Sequence, residues 1–193
     1  MASTEEILAY WAGIGPAGWY AVEPAQDAQI RDAFLPDWEA ALAGQREHWV
    51  GGTEGSLAYL ILTDQFPRNM FRGDARSFAT DAQALAAARI ATAAGWDSGV
   101  AEPLRQFFYL PFMHSEVLAD QTECQALVAA RMPETGASTL QHARAHALVI
   151  ERFGRFPYRN AALGRETTEA EATFIAEGGY GAALREVQAA GGA

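Results

Sequence analysis

The chain has 193 residues, half of them apolar and a fifth charged, with a formal net charge of −10. That length fits one domain able to bury a sizeable core. The acidic balance argues against a general nucleic-acid or anionic-membrane binder, because phosphate affinity rests on basic surface.

All 14 basic residues are arginine. A lysine Schiff base and a lysine-based phosphate loop are therefore excluded. A single cysteine, Cys124, excludes an internal disulfide and a cysteine zinc cluster. Its apolar helical setting reads as a small core residue rather than a nucleophile. No apolar run approaches the ~20 residues of a membrane helix, and no basic-plus-apolar leader is visible, so a cytoplasmic protein is expected.

The pattern is helical nearly throughout. Ser3 or Thr4 can cap a first helix, with Glu5 and Glu6 in its first turn and Ile7, Leu8 and Trp11 as its apolar stripe. Gly13, Gly15, Pro16 and Gly18 predict a loop. A second helical stretch runs from about Pro24 to Gly44, interrupted near Pro36, with Ile30, Phe34, Trp38 and Ala41 at helical spacing. Gly51, Gly52 and Gly55 predict the next break. Leu57 to Leu62 is apolar on all sides and reads as a central helix.

Asp81 to Ala94 is alanine-rich and closed by Gly95. Glu102 to Tyr109 reads as helix, and Phe112 to Arg131 as another, closed by Pro133. Ser138 or Thr139 can cap a helix that runs to Phe153 and stops at Gly154. Thr167 or Thr168 with Glu171 resembles a capping box for a helix from about Glu169 to Glu177. The glycine-rich stretch from Gly178 to the end reads as a partly mobile tail. Strand signals are scarce. The expectation is one all-α domain over residues 1–193, built of about seven to nine helices in packed antiparallel hairpins.

Two elbows concentrate the arginines. The first reads Phe66-Pro67-Arg68-Asn69-Met70-Phe71-Arg72, and the second Arg152-Phe153-Gly154-Arg155-Phe156-Pro157-Tyr158-Arg159-Asn160 followed by Arg165. Each is expected to break a helix at a Phe-Pro pair. Guanidinium forks bind carboxylate and phosphate bidentately, which suits a small anionic ligand or a peptide carboxylate. The opposing reading is that Asp64, Glu116, Asp120 and Glu151 absorb them as internal salt bridges. Asp64 continues the buried stripe of Leu57, Leu60 and Ile61 and needs a partner there. It reads as a structural Asp–Arg staple, or as a group that orients an arginine towards a ligand.

His142 and His146 share a helix face, but no Glu completes a His-Glu-x-x-His pattern, so core histidines are favoured and no metal is expected. His114 lies beside Glu116, Asp120 and Glu123, whose carboxylates are expected to form a solvated face. No cofactor motif is found.

Leu8-Ala9-Tyr10-Trp11, Leu62-Thr63-Asp64-Gln65-Phe66-Pro67-Arg68-Asn69, Phe71-Arg72-Gly73, Phe107 to Glu116, Asp120-Gln121 and Arg152 to Pro157 together resemble the bacterial domain-of-unknown-function family 924. The resemblance covers almost the whole chain. It implies an all-helical, tetratricopeptide-like fold, and no activity. At Tyr158 the chain departs from the family pattern, which usually has His.

The polar residues that match the pattern imply one shared cleft: Asp64, Gln65, Arg68, Asn69, Arg72, His114, Glu116, Asp120, His146, Arg152, Arg155, Arg159 and Asn160. The leading expectation is a helical protein whose Arg/His/Asp-lined cleft binds a small anion or a chain terminus. Two other readings stand beside it. One is a tetratricopeptide-like scaffold that holds a peptide. The other is a hydrolase or transferase with Asp64 or His114 as general base.

Overall fold

The computed structural model describes residues 1–191. Among them the secondary structure is all helical, with eight helices of seven residues or more and no strand. The residues group into two compact units, Met1–Pro111 and Phe112 onward.

The first unit opens with α1 (Thr4–Trp19), capped by a Ser3–Glu6 capping box. The loop expected at Gly13–Gly18 is not there. Only Gly15 leaves the helix, at φ 69° and ψ 173°. Pro16 then opens the resumed segment, where its missing N–H leaves no bond unmade.

Helix α2 (Pro24–Leu42) is also continuous, in place of the expected break at Pro36. Pro36 is exposed, as is Asp32 one turn back, so the carbonyl that Pro36 cannot serve reaches water. The stripe of Ile30, Phe34, Trp38 and Ala41 is buried as its spacing predicts.

Helix α3 (Thr53–Leu60) runs into a π-helical turn (Ile61–Gln65) and then α4 (Phe66–Met70). Every residue from Ser56 to Pro67 is buried, which fits the central helix read from the sequence. The first Phe-Pro pair therefore does not end a helix. Pro67 cannot donate to the Thr63 carbonyl, and the Thr80 hydroxyl donates to it instead at 2.5 Å. Trp38 Nε1 in turn donates to Thr80 Oγ1 at 3.2 Å. Rings of Trp11, Trp19, Phe34, Phe66 and Phe107 fill the core, with Phe34 stacked on Phe66 at 4.7 Å and Phe107 edge-on to Trp19 at 4.9 Å.

Helix α5 (Asp81–Ala93) is followed by Gly95 in the left-handed conformation. The helix expected over Glu102–Tyr109 is a tighter 3₁₀ turn, Leu104–Phe108, with prolines on both sides removing amide donors.

Helix α6 (Leu110–Met113) leads to the second unit. The helix expected from Phe112 to Arg131 starts only at Leu118, as α7 (Leu118–Arg131). Side chains occupy the backbone between them. Gln121 Nε2 donates to the carbonyls of Met113 and Ser115, and Ser115 Oγ accepts from Val117 N–H.

Helix α8 (Gly136–Phe153) begins two residues before the expected Ser138 cap and ends at Gly154, φ 66°. Joined by only four residues, 132–135, α7 and α8 pack along each other as a hairpin. Helix α9 (Glu169–Ala176) has the Thr168–Glu171 capping box that the sequence spells out. Where a mobile tail reads from Gly178, residues Gly179–Gly191 form α10, packed on α8. Residues 192–193 of that stretch lie outside the described residues. Val149, Ile150, Phe156, Phe174 and Ala183 form the core here.

Candidate functional site

The first elbow uses its arginines in two directions. Asp64, 1% exposed, lies in the π-turn, and Arg68 reaches it from one turn on, at 3.1 Å. The same guanidinium holds Asp81 at the start of α5, at 2.9 Å. Arg68 thereby ties the π-turn to α5. The Asp64 carboxylate also accepts from Gln65 Nε2 at 2.5 Å. That geometry matches the staple reading of Asp64.

Arg72 points the other way. Its Nε and Nη2 grip both oxygens of Asp27, at 2.5 and 2.9 Å, and Asn69 Nδ2 adds a bond at 3.0 Å. Burial works against the charge on Asp27. The hydrogen bonds from Arg72 and Asn69, with the nearby charges of Arg72 and Arg31, overcome it and hold the carboxyl below its usual range.

Arg31, one helical turn after Asp27, caps the end of α4 by donating to the Met70 carbonyl. Arg76 grips Asp74 at 3.0 and 2.9 Å and lies over the Phe71 ring at 4.5 Å. That side-chain fork, and after it the Arg76 backbone N–H at 2.9 Å, hold the Asp74 carboxyl down at about 2.

These side chains line one hollow of about 360 Å³: Arg31, Arg72, Arg76 and Asn69 with Asp27 and Asp74. Three guanidiniums face two carboxylates, so one positive charge is left over. Each guanidinium is oriented by bonds through Nε and Nη2. Among the described residues, Nη1 of each makes no hydrogen bond.

In the second elbow the arginines turn to their own unit's acids and carbonyls. Arg155 forms a fork with Glu171, at 2.6 and 2.8 Å, and Asn160 adds a bond at 3.2 Å. The Arg155 bonds and the Thr168 amide hold the Glu171 carboxyl at about 2. Arg165 forks Glu116 at 2.7 and 3.0 Å, and Glu116 also accepts from Phe156 N–H. Burial opposes the charge on Glu116, and these bonds outweigh it, so its carboxyl lies below the usual range. Arg159 is buried, donates to the His114 carbonyl at 3.0 Å and lies over the Phe156 ring. Arg152 pairs with Glu186 at the surface and lines a hollow of about 520 Å³ with Phe153 and Phe174.

The solvated acidic face does not form. Asp120 is buried and accepts from Ser115 Oγ at 2.6 Å, and Glu116 precedes the helix altogether. The histidines are brought together instead. The rings of His114 and His146 lie 6.2 Å apart, and His146 also packs on Phe156 and Tyr180. His146 Nδ1 lies 2.9 Å from the His142 carbonyl, so it carries the proton and donates. Burial first, then the nearby charge of His114, push His146 down to about 3. It is a neutral ring and a weak base. His142 contacts the Tyr180 hydroxyl. Among the described residues no group of three or more His, Cys, Asp or Glu is arranged to hold a metal ion. None of their helices is long and apolar enough to cross a membrane.

Of the residues singled out in the sequence, Asn69 and Arg72 line the first hollow. Asp64, Arg68, Glu116, Arg155, Arg159 and Asn160 are engaged within their own units. Sequence reasoning missed Asp27, Arg31 and Arg76. The available signal was Asp27 and Arg31 at a four-residue spacing on one face of α2.

A comparison with curated proteins finds no match. Among solved structures, the chain is similar to a protein of unknown function, ATU0120, from Agrobacterium tumefaciens. The two are 42% identical with a TM-score of 0.85, over 91% of this chain and 97% of that one. The model of a family described as bacterial protein of unknown function (DUF924) matches residues 7–179. With most of its length inside that match, the chain belongs to this bacterial family of unknown function.

Proposed function

We propose that the protein is a cytoplasmic binder of a small anion, a phosphate or carboxylate group, in the hollow beside the first elbow. One observation carries the reading: three guanidiniums are pre-oriented around one space, each with an Nη1 edge uncommitted among the described residues. Fixed forks of this kind bind oxyanions without first having to be ordered. The hollow, at about 360 Å³, lies at the small end of ligand sites, so the ligand is compact. Asp27 and Asp74 temper the positive field. They favour a ligand that takes hydrogen bonds from guanidinium edges over one held by charge alone.

This reading keeps Asn69 and Arg72 as ligand-side residues and adds Arg31 and Arg76. Arg68, Arg155, Arg159 and Asn160 become the frame.

The test is a thermal-shift and calorimetric titration of the full chain with inorganic phosphate, citrate and succinate. At least one should raise the melting temperature by mass action. Arg76→Gln, at an exposed position, should leave the unliganded melting temperature unchanged and weaken that anion about tenfold, roughly 1.4 kcal/mol. A flat response across the anions, or equal affinity in Arg76→Gln, rejects the proposal.

A further inference from the structure

A second hollow of about 900 Å³ lies elsewhere in the first unit, and none of the arginines lines it. Its walls are apolar: Leu8 of α1, Trp49, Leu57 of α3, Val100 and Leu104. Its volume is at the upper end of small-molecule sites.

Four glycines border it, and they divide into two kinds. A Cβ on Gly55 would meet the Trp49 carbonyl at 2.3 Å, and one on Gly99 would meet Thr53 Oγ1 at 2.9 Å. Close packing accounts for those two. Gly51 and Gly52 are different. Neither lies in the left-handed region, Gly52 being fully extended at φ 173° and ψ 179°, and a Cβ on either would meet nothing within 4 Å. Neither backbone conformation nor packing requires glycine there. Their missing side chains leave the space open.

The lining holds one carboxylate and one imidazole. Glu54 is its carboxylate, and among the described residues it forms no ion pair. His48 is the other titratable side chain. Two guanidiniums lie close by, and each has a carboxylate partner: Arg46, over the Trp49 ring at 5.2 Å, pairs with Asp37 at 2.7 Å, and Arg105, which donates to the Val100 carbonyl at 2.8 Å, has Glu102 at 3.9 Å. An apolar cleft with an unpaired carboxylate at its rim complements an apolar body that ends in a positive charge.

We propose that this hollow is a binding site for a small organic amine with an aromatic or branched apolar body. The apolar body lies against Leu8, Leu57, Val100 and Leu104, and the ammonium pairs with Glu54. The first-turn amides of α3 draw anions, so an anion is the competing occupant. Glu54 sits in that same turn and offsets their field.

The experiment uses the full chain and two probes with similar apolar bodies and opposite charge, 2-phenylethylamine and 3-phenylpropanoate, in ligand-observed NMR and calorimetry. The amine should bind and the propanoate should not. Glu54→Gln should weaken the amine at least tenfold. Gly51→Leu should block the space with far-UV circular dichroism and melting temperature unchanged. Tighter or equal binding of the propanoate overturns the proposal, as does no binding of either probe. Unchanged amine affinity in Glu54→Gln also overturns it. The anion site beside the first elbow shares no residue with this hollow, so either site can fail alone.

Discussion

In the first elbow Pro67 rides inside a continuing helix, whereas in the second Pro157 follows a helix that has already ended at Gly154. The local spelling is nearly the same, and the difference comes from what lies around it. Thr80 answers the carbonyl that Pro67 abandons, so the first segment stays helical to Met70; Arg68 within it holds Asp64, and Arg72, past its end, reaches Asp27. In the second, Gly154 stops the chain, and Glu171 and Glu116 take Arg155 and Arg165 as forks. One elbow keeps donor edges on a hollow. The other uses its guanidiniums as internal ties. An Arg-rich motif thus keeps guanidinium edges unbonded or spends them as internal ties according to which carboxylates the fold brings to it.

The sharpest way to break that comparison lies within the first elbow. Asp64→Asn removes one carboxylate of a buried ion pair, while Arg68 keeps Asp81 and the Asp64 carbonyl. Unfolding in urea should show a loss of roughly 3 kcal/mol, towards the low end for breaking a buried pair, because Arg68 keeps Asp81. Phosphate or carboxylate affinity should stay as it was, since Asp64 does not line the hollow. A variant that keeps its stability but loses the anion would move Asp64 from the staple to the site.

Acid should act on the second unit through His146. Its folded value is about 3, against an ordinary value of 6.5. Between those values the unfolded chain takes up a proton that the folded ring refuses. The penalty is absent above pH 6.5 and grows as the pH falls, at up to about 1.4 kcal/mol per pH unit. His142, lowered by burial as well, adds in the same direction. The window from pH 6.5 to 5 lies above the region where the Glu116 and Glu171 pairs are lost. Urea midpoints measured across it should fall with pH in the native chain. His146→Phe should flatten the slope, because a phenyl ring fits between Phe156 and Tyr180 without titrating. An unchanged slope would put the acid sensitivity elsewhere.

What was legible in the sequence were features whose partners lie within one turn. Ser3 with Glu6, Thr168 with Glu171, and the stops at Gly95 and Gly154 are such cases. What was not legible depends on distant partners. Thr80 reaches Thr63 across 17 positions, and Asp27 reaches Arg72 across 45. Pro67 and Pro36 therefore read as breaks although the chain stays helical. The same limit governs the candidate site. Asn69 and Arg72 stand out because they crowd one elbow. Arg31 joins them only because α2 packs against α4. The start of α7 was hidden because Gln121 and Ser115 side chains satisfy the backbone between Met113 and Leu118.

The smallest expected difference separates the two capping boxes, which are written alike and differ in what else they hold. In α1, Ser3 Oγ accepts from Glu6 N–H at 3.2 Å, Glu6 returns a bond to Ser3 N–H at 2.7 Å, and both are exposed. In α9, the Glu171 that answers Thr168 also holds Arg155 and Asn160. Ser3→Ala should cost about 0.5 kcal/mol, near the low end for a lost N-cap, because water can replace the hydroxyl. Thr168→Ala should cost about 1 kcal/mol, because loosening the first turn also loosens the carboxylate on which Arg155 and Asn160 converge. Urea midpoints of the two single variants, measured side by side, decide the order. Equal costs would mean that the Arg155 fork fixes Glu171 by itself. The capping threonine would then be a local feature of α9 and no part of the tie that closes the second elbow.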